Sequence, residues 1–225
     1  MQIAVLGTGI VGRTLAARAS ELGHQVTIGT RDPTATLDRP ADGRGNASFG
    51  EWQGATGVRL ATFAEASEGA ELVINATGGE TTMAALTLAG AAQLAGKVLL
   101  DVSNPLDFSQ GFPPTLFVKD TDSLAEQIQL AFPQVRVVKS LNTLTAALMV
   151  HPEILQGEST VFVSGDAADA KALVTGLLAE FGHTDVLDLG GLSTARGTEM
   201  FLPLWLRLWG ALGTPMHNIK VVRSA

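Results

Sequence analysis

The sequence predicts an α/β protein built on a doubly wound parallel sheet, and three observations lead to this prediction. Apolar strand-like runs alternate with helix-spaced runs along most of the chain. The 225 residues, 46% of them hydrophobic and 16% charged, can bury one full domain and a small additional unit. A glycine-rich turn joins the first strand to the first helix, with the sequence Gly7-Thr8-Gly9-Ile10-Val11-Gly12.

This glycine-rich turn has the spacing of a dinucleotide-binding fingerprint. It directly follows the apolar run Ile3-Ala4-Val5-Leu6, and the order strand, glycines, helix is the context that gives the pattern its meaning. Gly7 permits a tight turn, Gly9 lets the backbone approach a pyrophosphate, and Gly12 lets the helix pack closely on the strand. The free N–H groups of the helix N-terminus favour the pyrophosphate. We therefore predict a Rossmann-type domain with cofactor contacts at residues 7–12.

The end of the second strand indicates which dinucleotide is bound. Residues 24–28 are followed by Gly29-Thr30-Arg31, without the acidic residue that holds the ribose 2′-hydroxyl in NAD-binding domains. Arg31 can bind a 2′-phosphate with its guanidinium, and Thr30 can donate its hydroxyl. Asp32 is expected to cap or turn the chain before Pro33 rather than to bind ribose. The sequence therefore predicts NADP(H) as the cofactor.

Polar residues after the later strands are the remaining site candidates, because such sites lie outside the carboxyl ends of parallel strands. Asn104 follows the fifth strand, where Asn-Pro is equally typical of a turn. Asn142 follows the sixth strand and can either line the site or cap the next helix. The four residues after the fourth strand are predicted cofactor contacts, in preference to a plain turn: Asn75, Ala76, Thr77 and Gly78.

Acid–base and metal chemistry have little support in this sequence. The chain has four histidines without metal-ligand spacing, no cysteine and no tyrosine. The absence of cysteine excludes thiol nucleophiles, and the absence of tyrosine excludes the tyrosine-dependent dehydrogenase mechanism. We predict no metal site and assign no catalytic acid or base. Direct hydride transfer between two ring cofactors is compatible with this composition. In such a reaction the protein only has to hold the donor and acceptor carbon atoms about 3–3.5 Å apart.

Charge and patterning set expectations for partners and location. A net charge of −7 disfavours nucleic acids and anionic membranes. The most apolar late stretch, residues 200–212, contains Pro203 and Arg207 and is short for a membrane span. The chain starts directly in the first strand, so we expect no signal peptide and a cytoplasmic location.

The element order predicts two domains, an NADP-binding Rossmann domain at residues 1–155 and a small, mostly helical C-terminal acceptor and dimerisation domain at residues 156–225. A long helix from near Ser193, apolar nearly all round, is expected to be buried between the domains or across a homodimer. A short final strand is expected at residues 219–222. Residues 38–57 lack periodicity and either close over the adenine, with Trp52 as a stacking candidate, or form a surface loop.

Several segments along the chain form a recognisable set of motifs: the glycine-rich turn and residues 23–31, 101–105, 138–143, 163–166, 189–192, 195–196 and 199. Taken together, these segments resemble the F420:NADP oxidoreductases, a family of NADPH-dependent coenzyme F420 reductases. The similarity spans nearly the whole chain, and the pair Thr30-Arg31 is fairly specific for NADP within that family.

The resemblance implies a Rossmann domain, a small C-terminal domain, a cleft where the deazaflavin meets the nicotinamide, and a homodimer. It implies that Thr77 lies near the nicotinamide and that Asn142 and Leu192 border the acceptor pocket. It also implies three contacts with the NADP phosphates, from Thr8, Thr30 and Arg31.

Three functions stay open at this point. The leading one is an NADP(H)-dependent oxidoreductase that exchanges a hydride with coenzyme F420 or a flavin-like ring. The second is an NADPH-dependent reductase of a small imine, ketone or ferric substrate, which needs a proton donor such as Lys139 or His151 in the pocket. The third is a non-catalytic NADPH-sensing protein that binds NADPH without turnover.

Overall fold

The computed structural model describes residues 1–41 and 47–224. The strands are, in chain order, β1 (Gln2–Leu6), β2 (Gln25–Thr30), β3 (Arg59–Thr62), β4 (Leu72–Asn75), β5 (Val98–Asp101), β6 (Leu106–Asp107), β7 (Thr115–Leu116), β8 (Arg136–Ser140), β9 (Thr160–Gly165) and β10 (Asp185–Gly190). One eight-stranded sheet has the order β10-β9-β8-β5-β4-β1-β2-β3, and β6 pairs with β7 in a separate hairpin. Neighbouring strands of the large sheet are parallel, except for the antiparallel pair β8 and β9.

Helices cover both faces of this sheet. They are α1 (Ile10–Glu21), α2 (Pro33–Leu37), α3 (Phe49–Thr56), α4 (Phe63–Ser67), α5 (Gly79–Ala89), α6 (Ala91–Leu94), α7 (Leu124–Ala131), α8 (Ala146–Val150), α9 (Ala168–Glu180), α10 (Ala195–Met200) and α11 (Leu202–Leu212). Alternate residues of β1 enter opposite cores, because successive strand side chains point to opposite faces. Val5 packs in the core under α1, α8 and α9, and Leu6 in the core under α4, α5 and α7. The predicted Rossmann-type α/β fold is confirmed.

The strand order reverses beside β1. The chain runs from β1 outward to β2 and β3, then returns to place β4 on the other side of β1. In open α/β sheets this reversal leaves a crevice outside the carboxyl ends of the strands, where ligands bind. The glycine-rich turn and the turn after β4 both open into this crevice.

The C-terminal third of the chain differs in part from expectation. Strands β9 and β10 continue the large sheet, and the domain boundary at residues 155/156 stays a prediction. The long helix predicted from Ser193 is instead a 3-10 turn, α10 and α11, with Phe201 between the last two. Pro203 lies in the first turn of α11, and a proline has no N–H to continue the hydrogen-bond ladder of the preceding helix.

Helix α11 is also more exposed than the sequence suggested. Only part of it is buried, through Leu202, Trp205 and Leu206, whereas Leu204 and Leu212 are more than half exposed. The predicted final strand at residues 219–222 is wrong. That segment is irregular and is held beside β9 by a hydrogen bond from the Thr160 amide to the Ile219 carbonyl, 2.9 Å long.

The stretch at residues 38–57 contains a helix that the sequence analysis did not predict. Helix α3 begins with a capping box in which the Ser48 hydroxyl and the Glu51 carboxylate each accept a backbone N–H of the other residue. Trp52 packs on Phe49 at 5.2 Å between ring centroids, and its stacking on an adenine stays a prediction. Residues 42–46 lie outside the described part of the chain. Within that part, no helix is long and apolar enough to span a membrane.

Candidate functional site

The glycine-rich turn adopts the geometry expected from its glycines. Gly7 has a φ of +120°, and a Cβ placed on it would lie 2.6 Å from the Ala76 carbonyl oxygen. A Cβ on Gly12 would lie 2.0 Å from the Gly7 carbonyl oxygen. Real carbon and oxygen atoms cannot approach this closely, so both positions require glycine. The turn between β1 and α1 is therefore held tightly against the turn after β4.

The middle glycine of the turn, Gly9, faces open space. Gly9 is the N-cap of α1, and a Cβ there would meet no atom within 4 Å. The first N–H groups of α1 have no side-chain cap, which leaves them available to an anion at the positive end of the helix dipole. An open glycine cradle at a free helix N-terminus fits the pyrophosphate of a dinucleotide.

A cavity of about 210 Å³, the basic cavity, lies beside this turn. Its charged lining residues are Arg31 and Arg39, and no carboxylate lines it in the part of the chain that the structure describes. The predicted site residues Gly7, Thr8, Thr30, Arg31 and Thr77 all line it. This concentration of positive charge fits a phosphate group, whereas an acidic residue would be needed to hold a free ribose 2′-hydroxyl.

Asp32 takes the capping role that the sequence predicted for it. Its Oδ1 accepts the Ala35 backbone N–H at 3.0 Å, at the N-cap of α2. The Thr30 hydroxyl, which is almost fully buried, bonds to the Thr36 hydroxyl at 2.9 Å. Thr30 therefore lines the basic cavity while it also fastens β2 to α2.

A second cavity of about 280 Å³, the strand-end cavity, lies at the carboxyl ends of β4 and β5. It shares Thr77 and Thr81 with the basic cavity. The exposed carboxylate of Glu80 is its one ionisable lining group among the described residues. The predicted site residues that line it are Val11, Ala76, Thr77, Gly78 and Asn104. Because they share these two residues, the two cavities adjoin along the crevice, and together we call them the crevice path.

Two predicted contact residues lie beneath this path rather than in its lining. Asn75 is fully buried, with its Nδ2 donating to Asp101 Oδ1 at 2.7 Å and its Oδ1 accepting the Thr77 hydroxyl at 2.7 Å. Asn142 is buried and donates its Nδ2 to the Thr198 carbonyl at 3.0 Å. Their amide groups are engaged inside the protein, so these residues shape the site and do not line either cavity.

Asn104 links the strand-end cavity to this buried layer. Its Nδ2 donates to the Asn142 carbonyl at 2.8 Å, and its Oδ1 accepts the Asn142 Nδ2 at 3.0 Å. Gly79, at the start of α5, packs closely against the Asn104 backbone, because a Cβ on Gly79 would lie 2.1 Å from the Asn104 carbonyl oxygen. Leu192, which the resemblance placed at the acceptor pocket, is buried in the core under α4, α5 and α7. Its side chain packs there because the 3-10 turn that carries it contacts α7 and β8.

Lys139 is a fully buried charge just below the strand ends. Its Nζ donates to Asp101 Oδ2 at 2.8 Å and to the Ser103 carbonyl at 2.5 Å, and pairs with Glu199 Oε1 at 2.9 Å. Burial lowers the pKa of Lys139, but the two carboxylates outweigh this effect and raise it above its ordinary value. Glu199 also accepts the Leu124 amide at 2.8 Å and so caps α7. The Lys139 ammonium is fully engaged by these buried partners, and Lys139 does not line either cavity.

The histidines and Ile10 also lie away from the path. His151 pairs with Glu153 at 2.9 Å and, with Ile10, lines a separate cavity on the far side of α1. Buried His183 contacts the Met149 carbonyl, and its pKa is lowered by burial. The described residues contain no cluster of three or more His, Asp or Glu side chains that could hold a metal ion.

Two residues that line these cavities, Arg39 and Gly79, are not among the predicted site residues. Arg39 was not weighed, although an arginine shortly after Arg31 is a signal that could have been noticed. Gly79 directly follows the predicted contacts 75–78 without being one of them, and its close approach to Asn104 depends on a loop 25 positions away in the chain, which no local pattern reveals.

Comparisons with known proteins agree with this geometry. The sequence model of a family described as NADP oxidoreductase, coenzyme F420-dependent, matches residues 2–105. An F420-dependent NADP reductase of Methanothermobacter marburgensis is 30% identical over 214 residues, which cover 92% of this chain and 92% of that protein. The chain belongs to the coenzyme F420-dependent NADP oxidoreductase family. It is therefore an NADP-dependent oxidoreductase, and the predicted use of NADP(H) is confirmed.

Two further relatives extend the comparison. The crystal structure of a proposed F420-dependent NADP reductase from Arthrobacter sp. FB24 has a TM-score of 0.95 and 58% identity, over 99% of this chain and 100% of that one. The metalloreductase STEAP3 of Rattus norvegicus is 31% identical over 209 residues, which cover 91% of this chain but 38% of that protein. This chain thus spans well under half the length of STEAP3.

Proposed function

We propose that this enzyme transfers a hydride between NADP(H) and the ring of a deazaflavin of the coenzyme F420 class. The observation that carries the proposal is the junction of the two cavities at Thr77 and Thr81. A dinucleotide whose phosphates lie at the glycine-rich turn and at Arg31 would extend along this junction. Its nicotinamide would then occupy the strand-end cavity, where the second ring must also enter.

The residues around the strand-end cavity support a reaction that needs little acid–base help. Bound NADP(H) supplies the hydride, and the chain contributes position through the walls at Gly79 and Asn104. Lys139 and His151, the proton donors that a small imine or ketone substrate would need, both point elsewhere. This favours an acceptor ring that takes the hydride and takes up one proton from solvent, so that NADPH, the oxidised ring and a proton give NADP⁺ and the reduced ring.

The family supports the choice of acceptor. The relative from Methanothermobacter marburgensis is an F420-dependent NADP reductase, and this chain covers 92% of it. Membership in a family of oxidoreductases favours an enzyme over an NADPH-sensing protein. Reduction of a ferric substrate is a second candidate, in which the two electrons of one NADPH would reduce two ferric ions to ferrous ions with release of a proton. It is favoured by the 31% identity with the metalloreductase STEAP3 over 91% of this chain.

The test follows NADPH oxidation by the purified protein with coenzyme F420, through the loss of visible absorbance of the oxidised deazaflavin. Parallel cuvettes contain FMN or ferric nitrilotriacetate. We expect rapid bleaching with coenzyme F420 and slow or absent reaction with the other two acceptors. Absence of bleaching, while NADPH still binds, would contradict the proposed acceptor, and reduction of the ferric complex would support the second candidate.

The proposal includes a homodimer that forms through the apolar face of α11. Leu204, Trp209 and Leu212 leave much of their surface exposed on this face, which is more apolar than a free helix surface usually is. The cytoplasmic location expected from the sequence stays a prediction.

A further inference from the structure

Arg39 is a second arginine at the basic cavity. Its guanidinium lines the same cavity as Arg31, and its Nη1 donates to the Thr8 hydroxyl at 3.3 Å. Thr8 belongs to the glycine-rich turn, so the side chain of Arg39 reaches from the end of α2 to the start of α1. Arg31 and Arg39 approach the cavity from different parts of the chain.

Helix α2 explains why both arginines line the basic cavity. Arg31 immediately precedes the Asp32 N-cap, and the Arg39 amide donates to the Thr36 carbonyl at 3.4 Å just beyond the last turn. Thr36 is buried, and its hydroxyl bonds to the Thr30 hydroxyl at 2.9 Å, which fixes the helix against β2. Five helical residues rise roughly 8 Å, a distance that two arginine side chains can close.

The charge in the cavity exceeds what one phosphodiester or a ribose hydroxyl would require. Two guanidiniums line the cavity, and no carboxylate of the described residues lines it. The carboxylate of Asp32 accepts the Ala35 amide, so its hydrogen-bonding capacity is directed to α2. A phosphate monoester near pH 7 carries close to two negative charges and several acceptor oxygens, which two planar guanidiniums match.

We propose that Arg39 is a specificity-determining residue that binds the 2′-phosphate of NADP(H) together with Arg31. The inference rests on the proposed placement of the cofactor in the basic cavity. In this arrangement the short helix α2 holds one arginine at each of its ends, and the pair separates NADP(H) from NAD(H).

The experiment measures dissociation constants of NADPH and NADH by isothermal titration calorimetry, together with 2′,5′-ADP and 5′-AMP, which differ only in the 2′-phosphate. The variants are Arg39→Ala, Arg39→Lys, Arg31→Ala and the charge-matched control Arg59→Ala. Arg59 is exposed and begins β3 at the opposite end of the strands. Loss of one charge-assisted bond should weaken binding of NADPH and 2′,5′-ADP roughly tenfold or more. NADH and 5′-AMP should bind Arg39→Ala as they bind the wild type.

The possible outcomes distinguish the role of Arg39 from the placement of the cofactor in the basic cavity. Arg39→Lys keeps the charge without the planar fork, and we expect it to recover part of the preference for NADPH. If Arg39→Ala weakens NADPH and NADH equally, or weakens neither, while Arg31→Ala selectively weakens NADPH, the role of Arg39 is overturned and the cofactor site stands. If wild type and Arg31→Ala bind NADPH no differently from NADH, the placement of the cofactor fails. Thermal unfolding of each variant establishes that the titrated protein is folded.

Discussion

At the scale of single residues, close packing at Gly12 and the enclosed ammonium of Lys139 constrain the structure around the site. The Gly12 position lies against the Gly7 carbonyl oxygen, so the helix start and the strand end can meet only where a side chain is missing. Lys139 is similarly constrained, because its ammonium is enclosed by three oxygen acceptors. These two residues support the prediction of two different effects, one on ligand binding and one on folding stability.

We expect Gly12→Ala to displace the start of α1 and to weaken NADPH binding by more than tenfold. Overpacking of this kind also destabilises the fold by about 1–3 kcal/mol. Gly54→Ala is the matched control, because Gly54 lies in α3 and a Cβ there meets nothing within 4 Å. That control should be neutral or slightly stabilising. Calorimetric titration and urea denaturation measure both quantities, and equal behaviour of the two variants would contradict the role of Gly12.

We expect Lys139→Met to lower the free energy of unfolding by about 3–5 kcal/mol, because the substitution leaves Asp101 and Glu199 buried without their cation. Lys220→Met removes an exposed lysine that pairs with Glu158 and Asp185, and should lower the free energy of unfolding far less, because solvent screens surface ion pairs. Urea denaturation of both variants measures the difference. A loss of similar size in both variants would show that the buried cluster contributes no more than a surface pair.

At the scale of elements, contacts between helices and turns hold the C-terminal part of the chain against the rest of the fold. Glu199 of α10 caps α7 and pairs with Lys139 of β8, which ties the C-terminal helices to the centre of the sheet. On the other edge, His183 in the turn after α9 bonds to the Met149 carbonyl at the end of α8. Both contacts join elements that are distant in the sequence, and the second one is sensitive to pH.

The pH dependence follows from the lowered pKa of His183, which burial causes. Because the unfolded chain binds this proton more readily, the neutral histidine contributes stability that is fully present above about pH 6.5. That stability is lost as the pH falls through 6.5 towards the lower pKa of the folded state. We expect His183→Gln to reduce the difference in unfolding free energy between pH 7.5 and pH 5.5, as measured by urea denaturation. An unchanged difference would exclude His183 as its source.

At the scale of the whole molecule, one chain leaves an apolar surface at its C-terminal end. Trp209 packs edge-on to Phe112 at 6.0 Å and to Trp205 at 5.6 Å between ring centroids, and Leu204 of the same helix is 53% exposed. Exposed apolar patches of this kind mark interaction sites. A second copy of the chain is the partner that the proposed homodimer provides.

We expect Leu204→Glu to shift the protein from dimer to monomer in sedimentation velocity experiments, because the carboxylate would have to be desolvated in the interface. Leu130→Glu is the control, since Leu130 is 84% exposed on α7, outside this surface. A wild-type protein that sediments as a monomer at all accessible concentrations would contradict the proposed dimer.

The sequence by itself determined the fold and the cofactor class. Eight strands of the sheet, the glycine-rich turn and Arg31 at the end of β2 were all predicted, because their signals are local: hydrophobic runs, glycine spacing and the absence of an acidic residue. The helix break before Pro203 and the helix within residues 38–57 were missed, although proline and the Ser48–Glu51 capping box are local signals as well.

Only the tertiary structure decided which polar residues face the crevice. Asn75 and Asn142 are polar residues at the carboxyl ends of strands, as expected of site residues. Their side-chain amides nevertheless bond inside the protein, to Asp101 and to the Thr198 carbonyl. Arg39 reaches the basic cavity only because α2 turns it back towards Thr8. The physical reason is that side-chain direction and hydrogen-bond partners depend on contacts between segments far apart in the chain. The pair between Lys139 and Glu199 is such a contact, and no local pattern encodes it.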